Sequence, residues 1–203
     1  GYEPESKVID RNGTLWVLCN GGWQREHFAE LIAINTFRNE IEKRFVFPSV
    51  DDSPTCLQID GRGEVLYFLM KGVRKMPVGS PVLPSSAFIS ESQHAFYKLG
   101  INPKNNEIIV TDAGDYTGRG ILMRFSSTGD LKSELLGGII PGAVCFREMP
   151  GLEDEVNTLA PAAAAPYTML IAATSLSACR KQPPTSGSLL DIYSGISFCG
   201  VMG

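Results

Sequence analysis

An all-β repeat fold is predicted by three observations. A turn-and-strand signature recurs three times, its copies stand 50 and 42 residues apart, and the runs between them are rich in β-branched and aromatic residues bounded by turn formers. The first copy, Val8-Ile9-Asp10-Arg11-Asn12-Gly13-Thr14-Leu15-Trp16-Val17, aligns with Gln58-Ile59-Asp60-Gly61-Arg62-Gly63-Glu64-Val65-Leu66-Tyr67. The third, Gly100-Ile101-Asn102-Pro103-Lys104-Asn105-Asn106-Glu107-Ile108-Ile109-Val110, is one residue longer in its turn.

Each copy reads as a hairpin, because Asp or Asn bonds its own backbone two residues on and Gly or Asn accepts the positive φ that the turn needs. Two strands are too few for repeats of this length, so a second hairpin completes each unit. In the first unit it is Leu31 to Ile34 and then Ile41 to Phe47; in the third it is Ile121 to Phe125 and then Leu131 to Leu136. The second unit is less regular, with Val73 to Met76 as a short third strand and Ala87-Phe88-Ile89 as the fourth. Four antiparallel strands repeated at this period predict a partial β-propeller of about three blades. The expected units are residues 1–56, 57–96 and 97–142, followed by a single closing strand of a further blade at 143–146. An N-terminal partner for that strand is missing from this sequence.

Strands that meander in this way send the first-to-second and third-to-fourth turns to one rim and the other connections to the opposite rim. The short turns gather on one side, except in the second unit, where the long stretch from Pro77 to Ser86 falls between the third and fourth strands. The other rim carries Asn20 to Glu30, Pro48 to Thr55, Ser90 to Ala95 and Asp112 to Arg119. Long loops on one rim of a rigid scaffold are where binding residues concentrate.

At 203 residues, 43% hydrophobic and 20% charged, the chain has the composition of a folded globular protein. A formal net charge of −4 leaves no basic surplus for nucleic acid. No stretch reaches the roughly 18 uninterrupted apolar residues of a membrane span; the run from Leu159 to Ala178 is broken by Pro161 and Pro166. The first residues, Gly-Tyr-Glu-Pro-Glu-Ser, do not read as a signal peptide. Five cysteines, Cys19, Cys56, Cys145, Cys179 and Cys199, form no CxxC, so neither zinc nor a complete disulfide framework is expected, and Cys19 and Cys145 read as small buried hydrophobes.

From Arg147 the pattern changes to an acidic cluster, an Ala/Pro run and a Ser/Thr-rich stretch. Residues 147–203 are expected to be a non-propeller tail. Three readings stay open for it: a poorly ordered extension, a frame-shifted or read-through segment, and a small helix docked on the blades.

Several segments in order carry a family resemblance. Trp16-Val17-Leu18-Cys19-Asn20-Gly21-Gly22, Ile34-Asn35-Thr36-Phe37 with Glu42-Lys43-Arg44-Phe45, Val110-Thr111-Asp112-Ala113-Gly114-Asp115-Tyr116, and Gly138-Ile139-Ile140-Pro141-Gly142-Ala143-Val144-Cys145-Phe146 resemble the YncE-like seven-bladed propellers of gut-bacterial cell surfaces. The likeness runs from about Lys7 to Phe146. It implies an extracytoplasmic protein, at the cell surface or in the periplasm and lipid-anchored when full-length. A related group of surface propellers captures vitamin B12 for a TonB-dependent outer-membrane transporter, which makes cobalamin and such a transporter the implied partners. The chain departs from that family in its absent N-terminal blades and in its tail.

No catalytic constellation stands out, so an enzyme is not expected; a hydrolase or lyase and a purely structural scaffold are the rivals to a binding protein. His27 and His94 fall in loops with no acidic or Cys partner at ligand spacing, and read as surface residues. Gly114-Asp115-Tyr116-Thr117-Gly118-Arg119-Gly120 lacks the Gly-Lys-Ser/Thr ending of a phosphate loop. Asp112 and Asp115 do not match a calcium loop, and no metal or cofactor is expected. Trp23, Asp112, Asp115 and Tyr116 are the candidate ligand-binding residues, since aromatic rings give broad contact and carboxylates fix orientation. The competing reading of Asp112 and Asp115 is that they cap turns.

Overall fold

The computed structural model describes residues 1–148 and 167–173, with Glu148 and residues 167–173 as backbone alone. Four antiparallel strands, β1 (Pro4–Ile9), β2 (Thr14–Cys19), β3 (Glu30–Asn35) and β4 (Glu40–Val46), form the first sheet in chain order. The second contains β5 (Thr55–Ile59), β6 (Val65–Leu69) and β7 (Val73–Pro77), and the third contains β8 (Phe96–Ile101), β9 (Ile108–Asp112), β10 (Arg119–Phe125) and β11 (Leu131–Ile139). A two-stranded sheet of β12 (Pro141–Glu148) and β13 (Tyr167–Ala173) follows. No helix occurs among the described residues.

The repeated Asp or Asn builds each first turn. Asp10 Oδ1 accepts the amides of Asn12 and Thr14 at 2.8 and 3.0 Å, and its Oδ2 accepts the Trp16 indole N–H at 3.0 Å. Asp60 Oδ1 takes the amides of Glu64 and Val65, and Asn102 Oδ1 takes that of Lys104. Gly13, Gly63 and Asn106 hold the positive φ of the turn, at 79°, 68° and 58°.

Side-chain alternation then stacks the sheets in chain order. On β6, Leu66 and Phe68 face the first sheet, where they pack with Trp16, Leu18, Leu31 and Ala33. Tyr67 and Leu69 point the other way, into a cluster with Leu99, Ile108, Val110 and Met123 of the third sheet. Phe47 meets Phe68 edge to face at 5.8 Å. Each wholly buried side chain of this size contributes about 1.5–3 kcal/mol. The leading strands β1, β5, β8 and β12 run side by side in succession. Two side chains of β1 bond β5, Glu5 taking the Cys56 amide and Ser6 the Leu57 amide, each at 2.8 Å.

The turns stack as well. Arg11 N–H donates to Gly63 O at 3.0 Å, and Asn106 Oδ1 accepts the Gly61 amide at 3.2 Å. Gly61 is needed here because a Cβ would lie 1.5 Å from Pro103 O.

Four expectations require correction. The second sheet has three strands, since Ala87-Phe88-Ile89 contributes only an isolated bridge between Val73 and Ile89. The preceding stretch contains Pro81 and Pro84, which lack the N–H that a ladder needs. The second turn is also one residue longer than its alignment suggested. Cross-strand pairs Ile9 with Leu15, Ile59 with Leu66 and Ile101 with Ile108 make Leu15, Leu66 and Ile108 equivalent. Cys145 is exposed, whereas Cys19 and Cys56 are buried. His94 has an acidic partner, as described below.

The closing strand expected at 143–146 lies within the longer β12, and its partner β13 comes from the tail. β12 covers the outer side of the third sheet: Thr111 Oγ1 donates to Pro141 O at 2.9 Å, and a Cβ on Gly100 would meet Val144 at 2.7 Å. Strand β5 straddles the expected division at 56/57, and β8 that at 96/97. Cys179, Cys199 and the open readings of the remaining tail lie outside the described residues.

Candidate ligand-binding rim

The rim opposite the Asp/Asn turns is tied together from loop to loop. Asn20 Oδ1 accepts the Gly22 amide at 3.0 Å, and Gly21 and Gly22 turn the β2–β3 loop with φ of 86° and 96°. A Cβ on Gly21 would stand 2.3 Å from His27 O. Backbone bonds from Asn20 and Gly21 to Glu3 O and Tyr2 O dock this loop on the residues leading into β1. Arg25 reaches Asp51 of the β4–β5 loop at 3.0 Å, and neighbouring Asp52 lies 3.6 Å from Lys71 in the β6–β7 turn. The exposed Arg25–Asp51 pair contributes little energy, about 0–1 kcal/mol, and mainly fixes loop positions.

Trp23 projects from the first of these loops and is 93% exposed. It borders a cavity of about 320 Å³ whose other lining residues include Tyr2, Glu3, Gly22, Glu26 and His27. The Tyr2 and His27 rings stack with centroids 3.4 Å apart and planes 7° from parallel.

Asp112, Asp115 and Tyr116 sit together in or beside the β9–β10 loop on the same rim, separate from the residues lining that cavity. Asp112 is buried at the end of β9. Its Oδ1 accepts the Gly114 amide at 2.7 Å, and its Oδ2 lies 3.0 Å from His94 Nδ1. His94 Nε2 faces Glu134 at 4.0 Å. Asp115 is exposed and accepts the amides of Thr117 and Gly118, at 2.9 and 2.8 Å. The Gly118 and Thr117 hydrogen bonds hold its carboxyl down to about 2. Tyr116 is 56% exposed, adopts φ of 63°, and meets Tyr97 edge-on at 5.8 Å. Both aspartates thus engage backbone amides of their own loop, while the two aromatic rings present surface to solvent.

Sequence spacing missed the His94–Asp112 contact because His94 lies in the loop before β8 and Asp112 at the end of β9, 18 positions apart. It also missed Glu26, in the same loop as Trp23, and Tyr2 and Glu3, which join Trp23 only through the docking of the chain entering β1 on the β2–β3 loop. Among the described residues, no group of three or more His, Cys, Asp or Glu is arranged to hold a metal ion. Those residues contain no helix long and apolar enough to cross a membrane.

Consecutive antiparallel sheets packed face to face, with their leading strands side by side, define a partial β-propeller. No protein-family profile matches the chain, and no curated protein matches it. Among solved structures, it is similar to a quinonprotein alcohol dehydrogenase-like protein from Bacteroides thetaiotaomicron, at 16% identity and a TM-score of 0.51, over 65% of this chain and 33% of that one. A second similar structure is the Dos1 propeller, at 11% identity and a TM-score of 0.46, over 66% of this chain and 37% of that one. The chain therefore spans about a third of the length of these structures. The first likeness supports the fold, and the fold alone.

Proposed function

We propose that the chain is a non-catalytic binding module whose long-loop rim docks a ligand or partner. The observation that carries this reading is Trp23, a large apolar ring 93% exposed beside a cavity on a rim whose loops are fastened to one another. An exposed indole on a fixed loop offers contact area at low entropy cost, a pattern of binding surfaces. In its finer form the proposal follows the YncE-like resemblance. The protein works outside the cytoplasm, lipid-anchored when full-length, and presents a corrinoid such as cobalamin to a TonB-dependent outer-membrane transporter. Trp23 and Tyr116 then supply ring contacts, and Asp112 and Asp115 hold the β9–β10 loop that carries Tyr116.

Calorimetric titration with cobalamin tests the finer form. Saturable heat, weakened at least tenfold by Trp23→Ala or Tyr116→Ala, is the expected result; no heat and no thermal shift at large excess would remove the corrinoid. A second reading, a structural scaffold in a cell-surface complex, is favoured by the exposed apolar residues Ile9 and Ile41 on the first sheet. It predicts stable co-purification with a protein partner and no response to small molecules. A hydrolase or lyase would need an acid and base converging on the central channel, whereas the acid–histidine pair seen here, Asp112 with His94, sits on the rim.

A further inference from the structure

We infer that the cavity beside Trp23 is a subsite for a guanidinium group, such as the arginine side chain of a partner protein. This inference rests on the reading of the rim as a binding surface and assigns one part of it a chemistry. Three features of the cavity converge on it.

The first is aromatic surface. Tyr2 and His27 form a stack, and the Trp23 indole stands free of the protein body on the same cavity. Ring faces attract cations, and a planar guanidinium is the cation that stacks on them best because it is weakly hydrated and flat. The second is charge. Glu3 and Glu26 both line the cavity, and among the described residues neither carboxylate has a hydrogen bond or ion pair. The loop's own cation does not neutralise them, since Arg25 reaches out to Asp51.

The third is shape. Gly22 turns the loop at a φ of 96°, and the Glu3 carboxylate lies against that turn, within 3.7 Å of where a Cβ would stand. Docking of Asn20 and Gly21 on the backbone of Tyr2 and Glu3 fixes both walls before a ligand arrives, which limits the ordering cost of binding. A neutral planar ligand would use the rings and leave the two carboxylates uncompensated. A carboxylate or phosphate ligand would be repelled. A guanidinium satisfies rings and carboxylates together, donating through its N–H fork to Glu3 or Glu26 while its face lies on an aromatic ring.

The test uses Nα-acetyl-arginine amide and its uncharged isostere Nα-acetyl-citrulline amide, followed through indole emission and by calorimetry on the whole chain. Saturable binding of the arginine probe is expected, at least tenfold tighter than the citrulline probe and weakened by added salt. The double variant Glu3→Gln/Glu26→Gln should lose about tenfold, and Trp23→Ala should lose severalfold by calorimetry, with unchanged melting temperatures showing that the fold survives. Equal binding of both probes, or an arginine affinity unmoved by the double variant, would overturn the inference. No saturation by the arginine probe would overturn it too. Titrating cobalamin into the wild type and the double variant separates the two readings: corrinoid binding that persists without arginine binding leaves the rim reading standing and removes this subsite.

Discussion

Leu66 of the middle sheet and Leu15 of the first occupy the same place in the repeat, one strand after the Asp turn, yet their surroundings differ. Leu66 is fully buried against the first sheet, and its other equivalent, Ile108, is fully buried against the second. Leu15 is only half-buried, as are Val17 and Ile34 on the same face, while Ile9 and Ile41 there are 60% and 53% exposed. The apolar positions of the first two strands thus recur in all three sheets, and at Leu15, Leu66 and Ile108 what changes is whether a neighbouring sheet lies on them; Ile32, opposite Val17, is the exception on that face at 5% exposed. Burial in this architecture comes from the neighbour, and a blade's own sequence supplies only half of each interface.

The largest expected effect follows from this pair. Leu66→Ala should lower unfolding free energy by about 2–5 kcal/mol, because it removes buried contacts and leaves a cavity. Leu15→Ala, the same change at the equivalent position, should cost about 1 kcal/mol or less because part of the side chain is already in water. Chemical denaturation of both variants measures the difference; equal losses would break the comparison.

An intermediate effect is expected at the turns. Asp10→Ala removes two amide caps and leaves the buried Trp16 indole N–H without its acceptor, a loss of about 1–3 kcal/mol by thermal melting. Asn102→Ala removes an amide cap and should cost less, about 0.5–1.5 kcal/mol. The same turn therefore matters more where its acid also holds the core.

The smallest effect concerns Glu107, at the end of the third of these turns. Burial alone would raise its carboxyl, but hydrogen bonds from Lys132 and Arg124 outweigh that and hold it below its ordinary 4.5. A depressed folded-state pKa stabilises the fold fully above the unfolded value, and that contribution fades as the pH falls through the lower folded value. Glu107→Gln should cost about 1 kcal/mol at pH 7, with the difference from wild type shrinking as the pH is lowered below 4.5. A penalty independent of pH would assign Glu107 a packing role.

The sheets were legible because Asp10, Asp60 and Asn102 announce each turn through chemistry local in sequence. The fourth strand of the second unit was not, because Ala87-Phe88-Ile89 is a strand-like triplet whose pairing depends on the path of the proline-containing chain before it. The one-residue shift of the second turn was equally hidden, since only cross-strand hydrogen bonds reveal which residues face each other. Trp23 was legible as an aromatic in the long loop from Asn20 to Glu30. Its neighbours Tyr2 and Glu3 were not, as they arrive through the docking of the chain that enters β1. The aspartates show a third case: side chains that suit a ligand also suit a turn, and their amide partners appear only in three dimensions.

Hydrogen exchange of the native chain, resolved strand by strand, tests most directly the claim that successive sheets stack in chain order with the middle one clamped on both faces. Amides of β6 and β9 should exchange slowest, those of β2 and β3 faster, and the outermost strands β4 and β11 fastest among the three sheets. Protection of β2 equal to that of β6 and β9, or early exchange at β6, would contradict the stacked arrangement.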